Sequence, residues 1–248
     1  MKKKKIVTFG EIMLRLTTPD NLRIQQSHDF LVSYGGSEAN VAISIANFGG
    51  DVDYITRLPD NALGETCLSE LRSHNIGTQN VLIGGKRLGT YYMEKAAAMR
   101  NSKVIYDREG SAFSELKPGM IDWKEVFKDA DIFHWSGIDA ALTPGLADVC
   151  HEAIAVAKEM GLQVSYDINY RKNLWNYGKS AQEVLRPLSQ ESDIMFGSEG
   201  EYAMLTGIPA PGFKATKNGE AYDLKAYEEF CKAISAQIPN CKYIYIAL

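Results

Sequence analysis

Charge imbalance, paired cysteines and long apolar runs are all scarce in this sequence, and each scarcity removes a class of function. Across 248 residues, 27 Lys and Arg stand against 31 Asp and Glu, for a net charge of −4 and a pI of about 5.7. That balance gives no electrostatic footprint for a nucleic-acid partner. The one basic run, at positions 2–5, precedes Ile6-Val7-Thr8-Phe9. So short an apolar stretch cannot form a signal-peptide core or a membrane span, so no membrane partner is expected. The run reads as a solvated start to a first strand. The cysteines, Cys67, Cys150, Cys231 and Cys241, include no CxxC pair, which argues against a zinc site or a redox motif. No Asn-X-Ser/Thr sequon, internal repeat or low-complexity segment occurs. A reducing, cytoplasmic setting is expected.

Hydrophobic residues make up 45% and charged residues 23%, enough for a sizeable core in one large domain. Short β-rich runs at 6–10, 52–57, 131–137, 163–169, 193–197 and 243–248 alternate with helical patterns at 37–48, 62–74, 144–160 and 224–237. Runs such as IFHW and IYIAL lack apolar/polar alternation and read as strands buried on both faces, as in a parallel sheet covered by helices. The fold class expected is therefore α/β, doubly wound. Two regions break the alternation. GTYYMEKAAA and KVIYDREGSA read as two strands, and MLRLTTP and HDFLVSYGG as further extended pieces. Together they are expected to form a small separate β lid from segments at about 13–35 and 86–113, inserted in a domain spanning 1–248.

Two polar stretches stand out. In SYGGSEANVAIS, Gly35 and Gly36 allow close backbone approach, Ser37 is expected to cap a helix, and Glu38 and Asn40 fall in its first turn. Ala39, Val41, Ala42, Ile43, Ile45, Ala46 and Phe48 make that helix apolar nearly all round, which predicts deep burial. A buried helix N-terminus with bare backbone suits hydroxyls or carboxylates, although the same residues also read as a tight turn and an ordinary cap. In SYDINYRKNLW, Asp167, Asn169 and Arg171 alternate at the C-terminal end of a strand. Open α/β sheets bind ligands there, and on an extended chain these three share a face. A solvated turn with an internal salt bridge is the plainer reading. The four histidines show no ligand spacing, and Trp123, Trp135 and Trp175 read as core or rim.

The stretch YGGSEANVAISIANFGG followed by DVDYITRLPDNALGE resembles the first signature of PfkB/ribokinase-like carbohydrate kinases. DINYRKNLW resembles their 2-keto-3-deoxygluconate kinase branch, and GSEGEYAMLTG resembles the family's metal and nucleotide motif. The resemblance implies a ribokinase-like sheet with a β lid, ATP and Mg²⁺ as cofactors, and γ-phosphoryl transfer to a sugar acid, 2-keto-3-deoxygluconate. It further implies substrate contacts from Gly35, Gly36, Asn40, Tyr91, Tyr106, Arg108 and Arg171, with the Tyr106-Asp107-Arg108 triplet holding the acid end. On the nucleotide side it implies Asn169, Arg171, Ser198 and Glu201. Glu201 would place the metal, and Ser198 stands where the family has Asn. A planar guanidinium suits a sugar carboxylate. By itself Arg108 reads as a lid-surface cation paired with Glu109 or Asp107. A lid-mediated homo-oligomer follows by the same analogy.

The family's Gly-Ala-Gly-Asp motif, whose Asp takes the hydroxyl proton, follows a strand resembling KYIYIAL. The motif does not occur in this sequence, so the catalytic residue is expected beyond Leu248 and none is named. Two other readings stay open: a catalytically incomplete sugar-binding chain, and a fructokinase- or nucleoside-kinase-like relative.

Overall fold

A computed structural model describes residues 3–247, except 213, 217, 218 and 222. The chain divides into two compact units. The first comprises Met1–Asp122 with Lys128–Ala130, and the second Trp123–Phe127 with Asp131–Leu248.

In the first unit, β1 (Lys5–Phe9) pairs in parallel with β4 (Asp51–Ile55), with α1 (Ser37–Asn47) between them in sequence. Val7 and Phe9 on β1, and Val52, Tyr54 and Ile55 on β4, are buried. They make the near-continuous apolar runs of a covered parallel pair. β5 (Arg57–Leu58), α2 (Ala62–Ser73) and β6 (Leu82–Ile83) follow, and β5 pairs with β6. Asn61 caps α2 by accepting from the Leu63 and Gly64 N–H groups. A four-stranded sheet is drawn from two stretches of sequence: β2 (Met13–Thr17) with β3 (Leu31–Gly35), and β7 (Thr90–Glu94) with β8 (Lys103–Asp107). Its order is β3-β2-β7-β8, antiparallel except where β2 runs parallel to β7.

The helix α1 departs from expectation at both ends. Its N-cap is Gly36, in extended backbone with no side-chain cap bond, and Ser37 is the first helical residue. The capping place falls one residue early because the chain there presses on β1's exit. A Cβ at Gly36 would run into the Glu11 carbonyl oxygen. Nor is the helix buried all round: only Glu38, Ala39 and Ala42 are, and Phe48 is 91% exposed. Ala39 and Ala42 sit in the core, with Ile43, Ile45 and Ala46 partly buried against it.

The second unit begins with α3 (Trp123–Val126). It carries β9 (Ile132–Ser136), α4 (Gly137–Leu142), α5 (Pro144–Glu159), β10 (Gln163–Asp167), α6 (Ala181–Ser189), β11 (Ile194–Ser198) and α7 (Glu199–Thr206). The hairpin β12 (Lys214–Thr216) and β13 (Gly219–Ala221), then α8 (Leu224–Gln237) and β14 (Tyr243–Ala247), complete it. β9, β10, β11 and β14 are successive parallel neighbours, as βαβ connections produce. The helix α5 starts as expected, with the Thr143 side chain accepting from the Leu146 N–H and Pro144 at the first position, and the chain turns off at Gly161 with φ +80°. Short helices α4, α6 and α7 were not anticipated. They span only 6, 9 and 8 residues, and α6 contains Pro187, so each offers little periodicity to read.

The core of this unit is organised by cross-strand pairs. Tyr166 lies opposite Trp135, and their rings stack at 4.4 Å. One residue back, Ser165 faces His134, with Oγ 2.9 Å from Nδ1. Buried Asp193, at the entry to β11, accepts from Lys158 Nζ at 2.9 Å, the Val164 N–H at 3.0 Å and Lys242 Nζ at 3.1 Å, tying together the starts of β10, β11 and β14. Leu248 at the expected end of the last strand lies outside the described residues. No helix among the described residues is long and apolar enough to cross a membrane.

Candidate functional site

The lid sheet gathers several of the expected substrate residues on one face. Register places Ser33 opposite Arg15, Arg15 opposite Tyr91, and Tyr91 opposite Tyr106. Side chains directly opposite one another point to the same side of a sheet. A single row across four strands therefore reads Ser33, Arg15, Tyr91, Tyr106. The Tyr91 and Tyr106 rings are 5.8 Å apart. Two residues along from Ser33 and Tyr106, on the same side by the strand period, come Gly35 and Arg108. Arg108 lies 6.0 Å from the Tyr106 ring centre.

Gly35 is there for space. A Cβ on it would stand 2.6 Å from the Tyr91 hydroxyl. The Gly36 Cβ would meet the Glu11 carbonyl, so both glycines are required by close approach rather than by a left-handed backbone. Gly36→Ala should accordingly destabilise the first unit by about 1–3 kcal/mol, the cost of forcing atoms into a filled space. Thermal unfolding followed by far-UV circular dichroism measures it; an unchanged midpoint would mean that the β1 exit yields freely. Asn40 does not join this face: it is exposed on the first turn of α1, while Glu38 turns inward against Gly10.

Arg108 is not the surface cation that its neighbours in sequence suggest. Its side chain is 9% exposed and that of Glu11 3% exposed, and the two form an ion pair. Arg108 Nε donates to Glu11 Oε2 at 2.7 Å, and Nη2 donates to the same oxygen. Asp107 pairs instead with Arg87, at 2.8 Å. The reason is strand alternation: Asp107 and Arg108 point to opposite sides, and only Arg108 faces the exit of β1. Glu11 Oε1 is buried and accepts no hydrogen bond among the described residues. A Cβ at Gly89 would come within 2.5 Å of it. Glu11 was missed because nothing marks it in sequence except its place as a lone acid between the apolar run of β1 and Ile12-Met13.

Arg15 was also missed, yet it is half-buried in the centre of the row. Its Nε donates to Thr17 Oγ1 at 3.2 Å and its Nη2 to Met93 Sδ at 2.7 Å. Burial raises the Tyr91 phenol above its ordinary value, and Arg15, which hydrogen-bonds to it, pulls the other way. The signal available in sequence was MLRLT, where alternation puts Met13, Arg15 and Thr17 on one face.

The second unit presents another polar group at the C-terminal ends of its parallel strands, where open sheets place ligands. β10 ends at Asp167. The extended alternation expected through Arg171 stops at Asn169, whose φ is +40°, a left-handed turn that Asn tolerates. Asn169 is buried, whereas Arg171 is exposed and donates to the Tyr170 carbonyl at 3.1 Å, so the three do not share one extended face. Burial, reinforced by the negative charge of Glu201, raises Asp167 to about 6; the Asn169 backbone N–H and Arg171 oppose the shift.

Ser198 and Glu201 form a capping box at the start of α7. The Glu201 N–H donates to Ser198 Oγ at 3.3 Å, and Ser198 N–H and Oγ both donate to Glu201 Oε2 at 2.8 Å. Glu201 Oε1 accepts from the Tyr170 N–H at 2.7 Å. The motif thus holds the β10 exit against the α7 start before any ligand arrives. Among the described residues no group of three or more His, Cys, Asp and Glu could cage a metal. Two neighbouring carboxylates, Asp167 and Glu201, fit the usual way a magnesium ion is held, by one or two carboxylates together with phosphates and water.

Comparison with known proteins gives this geometry its context. The family model for pfkB family carbohydrate kinases matches residues 3–233. The chain is 32% identical over 195 residues to a 2-dehydro-3-deoxygalactonokinase of Haloferax volcanii, covering 79% of this chain and 61% of that protein. It is 28% identical over 204 residues to a probable fructokinase-2 of Arabidopsis thaliana, covering 82% and 61%. The chain thus spans about 61% of the length of these curated relatives. Among solved structures, a 2-dehydro-3-deoxygluconokinase from Thermotoga maritima superposes with a TM-score of 0.88 at 38% identity, over 97% of this chain and 71% of that one. A PfkB family carbohydrate kinase from Listeria grayi gives 0.84 at 29% identity, over 96% and 69%. The chain belongs to the pfkB family of carbohydrate kinases.

Proposed function

We propose that this protein supplies the sugar-binding part of an ATP- and Mg²⁺-dependent kinase. Its acceptor is a sugar acid of the 2-keto-3-deoxy class, with 2-keto-3-deoxygluconate as the substrate of choice. The observation that carries this reading is the lid face. Bare backbone at Gly35, two tyrosine hydroxyls and two guanidiniums stand together there, and the buried Glu11 Oε1 lacks a hydrogen-bond donor. Tyrosine rings and hydroxyls suit the alternating apolar and polar faces of a sugar, and a planar guanidinium suits its carboxylate. The names of the Haloferax and Thermotoga relatives support the same substrate class.

In the second unit, Asp167 and Glu201 would hold Mg²⁺ and Arg171 would face the phosphates. The metal, when bound, neutralises charge on the phosphoryl oxygens. Asn169 and Ser198 support the two carboxylates by fixing the β10 exit and the α7 cap. No side chain is given the role of catalytic base. The setting is cytoplasmic, and the lid is the surface through which copies of the chain would associate.

The test is ADP release by the purified chain with ATP and Mg²⁺, ranked over 2-keto-3-deoxygluconate, fructose and ribose. The sugar acid should rank first. Fructose ranking first would overturn the assignment in favour of a fructokinase, a reading that the Arabidopsis relative motivates. Sugar binding without turnover would support a catalytically incomplete chain.

A further inference from the structure

A guanidinium offers its N–H donors along the edges of one rigid plane. In Arg108 one edge is closed: the Nε–H and an Nη2–H both go to the same oxygen of Glu11, Oε2. The opposite edge is open. Nη1 has no acceptor among the described residues, and it is not one of the buried polar atoms left without a partner, so it is reached by solvent. The exposed Tyr106 ring lies on that side of the lid, 6.0 Å from the guanidinium carbon.

The carboxylate that closes the first edge is itself closely seated. The Glu11 side chain is 3% exposed. A Cβ at Gly89 would stand 2.5 Å from Glu11 Oε1 and 3.2 Å from its Cδ, so the strand is bare at the one place where Glu11 must lie against it. A buried ion pair gives little stability over an apolar pair of the same volume, so stability alone does not account for this arrangement. What the pair does supply is orientation: a long, rotatable side chain is held in one plane, with its unused edge turned outward.

We propose that Glu11 is a positioning residue for substrate recognition, which by closing the Nε/Nη2 edge of Arg108 presents the Nη1/Nη2 edge to the carboxylate of the sugar acid. This rests on the sugar-acid reading above, with Arg108 at the acid end. An anion at the open edge meets the guanidinium first and has Glu11 behind it, so attraction exceeds repulsion. Paired N–H···O bonds then fix the plane of the substrate carboxylate. The action of Glu11 is one of shape and hydrogen bonding rather than of net charge.

Titration calorimetry on the whole chain, without nucleotide, tests this with two probes: 2-keto-3-deoxygluconate and its neutral C1 amide. Wild type should prefer the acid by ~10-fold or more, the scale of one charged hydrogen bond. Glu11→Gln keeps an acceptor oxygen at the same reach and should keep that preference. Glu11→Asp keeps the charge but is one methylene too short, and should lose ~5-fold or more of the preference while the amide affinity changes little. Gly89→Ala, whose Cβ displaces the Glu11 carboxylate with no change of charge, should behave as Glu11→Asp does, and serves if that variant does not fold. Circular dichroism melting identifies the folded variants. Preference retained in a folded Glu11→Asp or Gly89→Ala, or acid and amide weakened in parallel, would overturn the assignment and leave the sugar-acid reading intact. Loss in Glu11→Gln equal to that in Glu11→Asp would also overturn it, by tracing the effect to charge. Wild type showing no preference for the acid would defeat the sugar-acid reading and this assignment with it.

Discussion

Glu11→Ala should destabilise the first unit by about 3–5 kcal/mol, because it strands the Arg108 guanidinium in a buried site. Arg108→Met should cost a similar amount for the converse reason. Glu11 would remain 3% exposed with a negative charge, and one of its oxygens already lacks a donor. The double variant Glu11→Met/Arg108→Met should recover most of either loss, since an apolar pair of similar volume has no desolvation penalty to offset. Urea unfolding across the four proteins yields the coupling between the two side chains. The first unit contains no tryptophan, so its unfolding is read as the part of the far-UV circular dichroism change that tryptophan fluorescence does not follow. Single variants within about 1 kcal/mol of wild type would mean that the pair is solvated and screened, as exposed pairs are.

The second large effect concerns acid. His134 is buried in the second unit against Ser165, and burial lowers its pKa to about 4 from an ordinary 6.5. Between those values the unfolded chain binds a proton that the folded chain refuses. The His134 contribution is therefore fully present above pH 6.5 and is lost as pH falls toward 4. Asp167 does the reverse. With its pKa raised to about 6 from 3.8, the folded chain holds a proton that the unfolded chain has released, so its contribution is present below 3.8 and lost as pH rises through 6. The two slopes oppose each other across the shared window, and wild type should look nearly insensitive there. Removing one exposes the other. Asp167→Asn should lose about 2 kcal/mol between pH 7 and pH 4.5 as His134 acts alone. His134→Gln should instead grow more stable on acidification, by less, because Asp167 is partly exposed and screened.

The remaining shifted acids of this unit do not interfere. Burial alone would raise Asp193, yet the Val164 N–H, Lys158 and Lys242 hold it below its ordinary value, and Ser180 lowers Glu183, so both titrate beneath most of the window. All three tryptophans lie in the second unit, and Trp135 adjoins His134, so tryptophan fluorescence in metal-free buffer with urea reads the right transition. A flat stability profile in Asp167→Asn would show that His134 is reached by water and titrates normally.

How far the sequence led can be judged from particular elements. The parallel strands β1, β4, β9 and β10 were legible because burial leaves near-continuous apolar runs, and α5 because a Thr cap, a Pro and a terminal Gly bracket it; β14, read from an equally unbroken run as buried on both faces, is instead exposed or half-buried along its length, with Tyr243 and Tyr245 about half exposed. The four lid strands were legible as extended pieces; Tyr91, Tyr106 and Gly35 were named through the family resemblance, and it is the strand register that brings them to one face. Glu11 was not legible. Its partner is 97 residues away in sequence, and only the folded sheet brings β1's exit beneath Arg108. Asn169 misled for a local reason: one left-handed residue ends an alternation that residue types alone would continue. Ser37 misled because the neighbouring carbonyl of Glu11, invisible in sequence, sets where α1 can begin.

The account's central claim is that the lid face around Tyr91 binds a sugar acid. The most direct test is calorimetric titration of the purified chain, without nucleotide, with 2-keto-3-deoxygluconate and separately with fructose. The account predicts saturable binding of the acid, tighter than that of fructose. Fructose binding as tightly as the acid, or no binding of the acid at all, would contradict it.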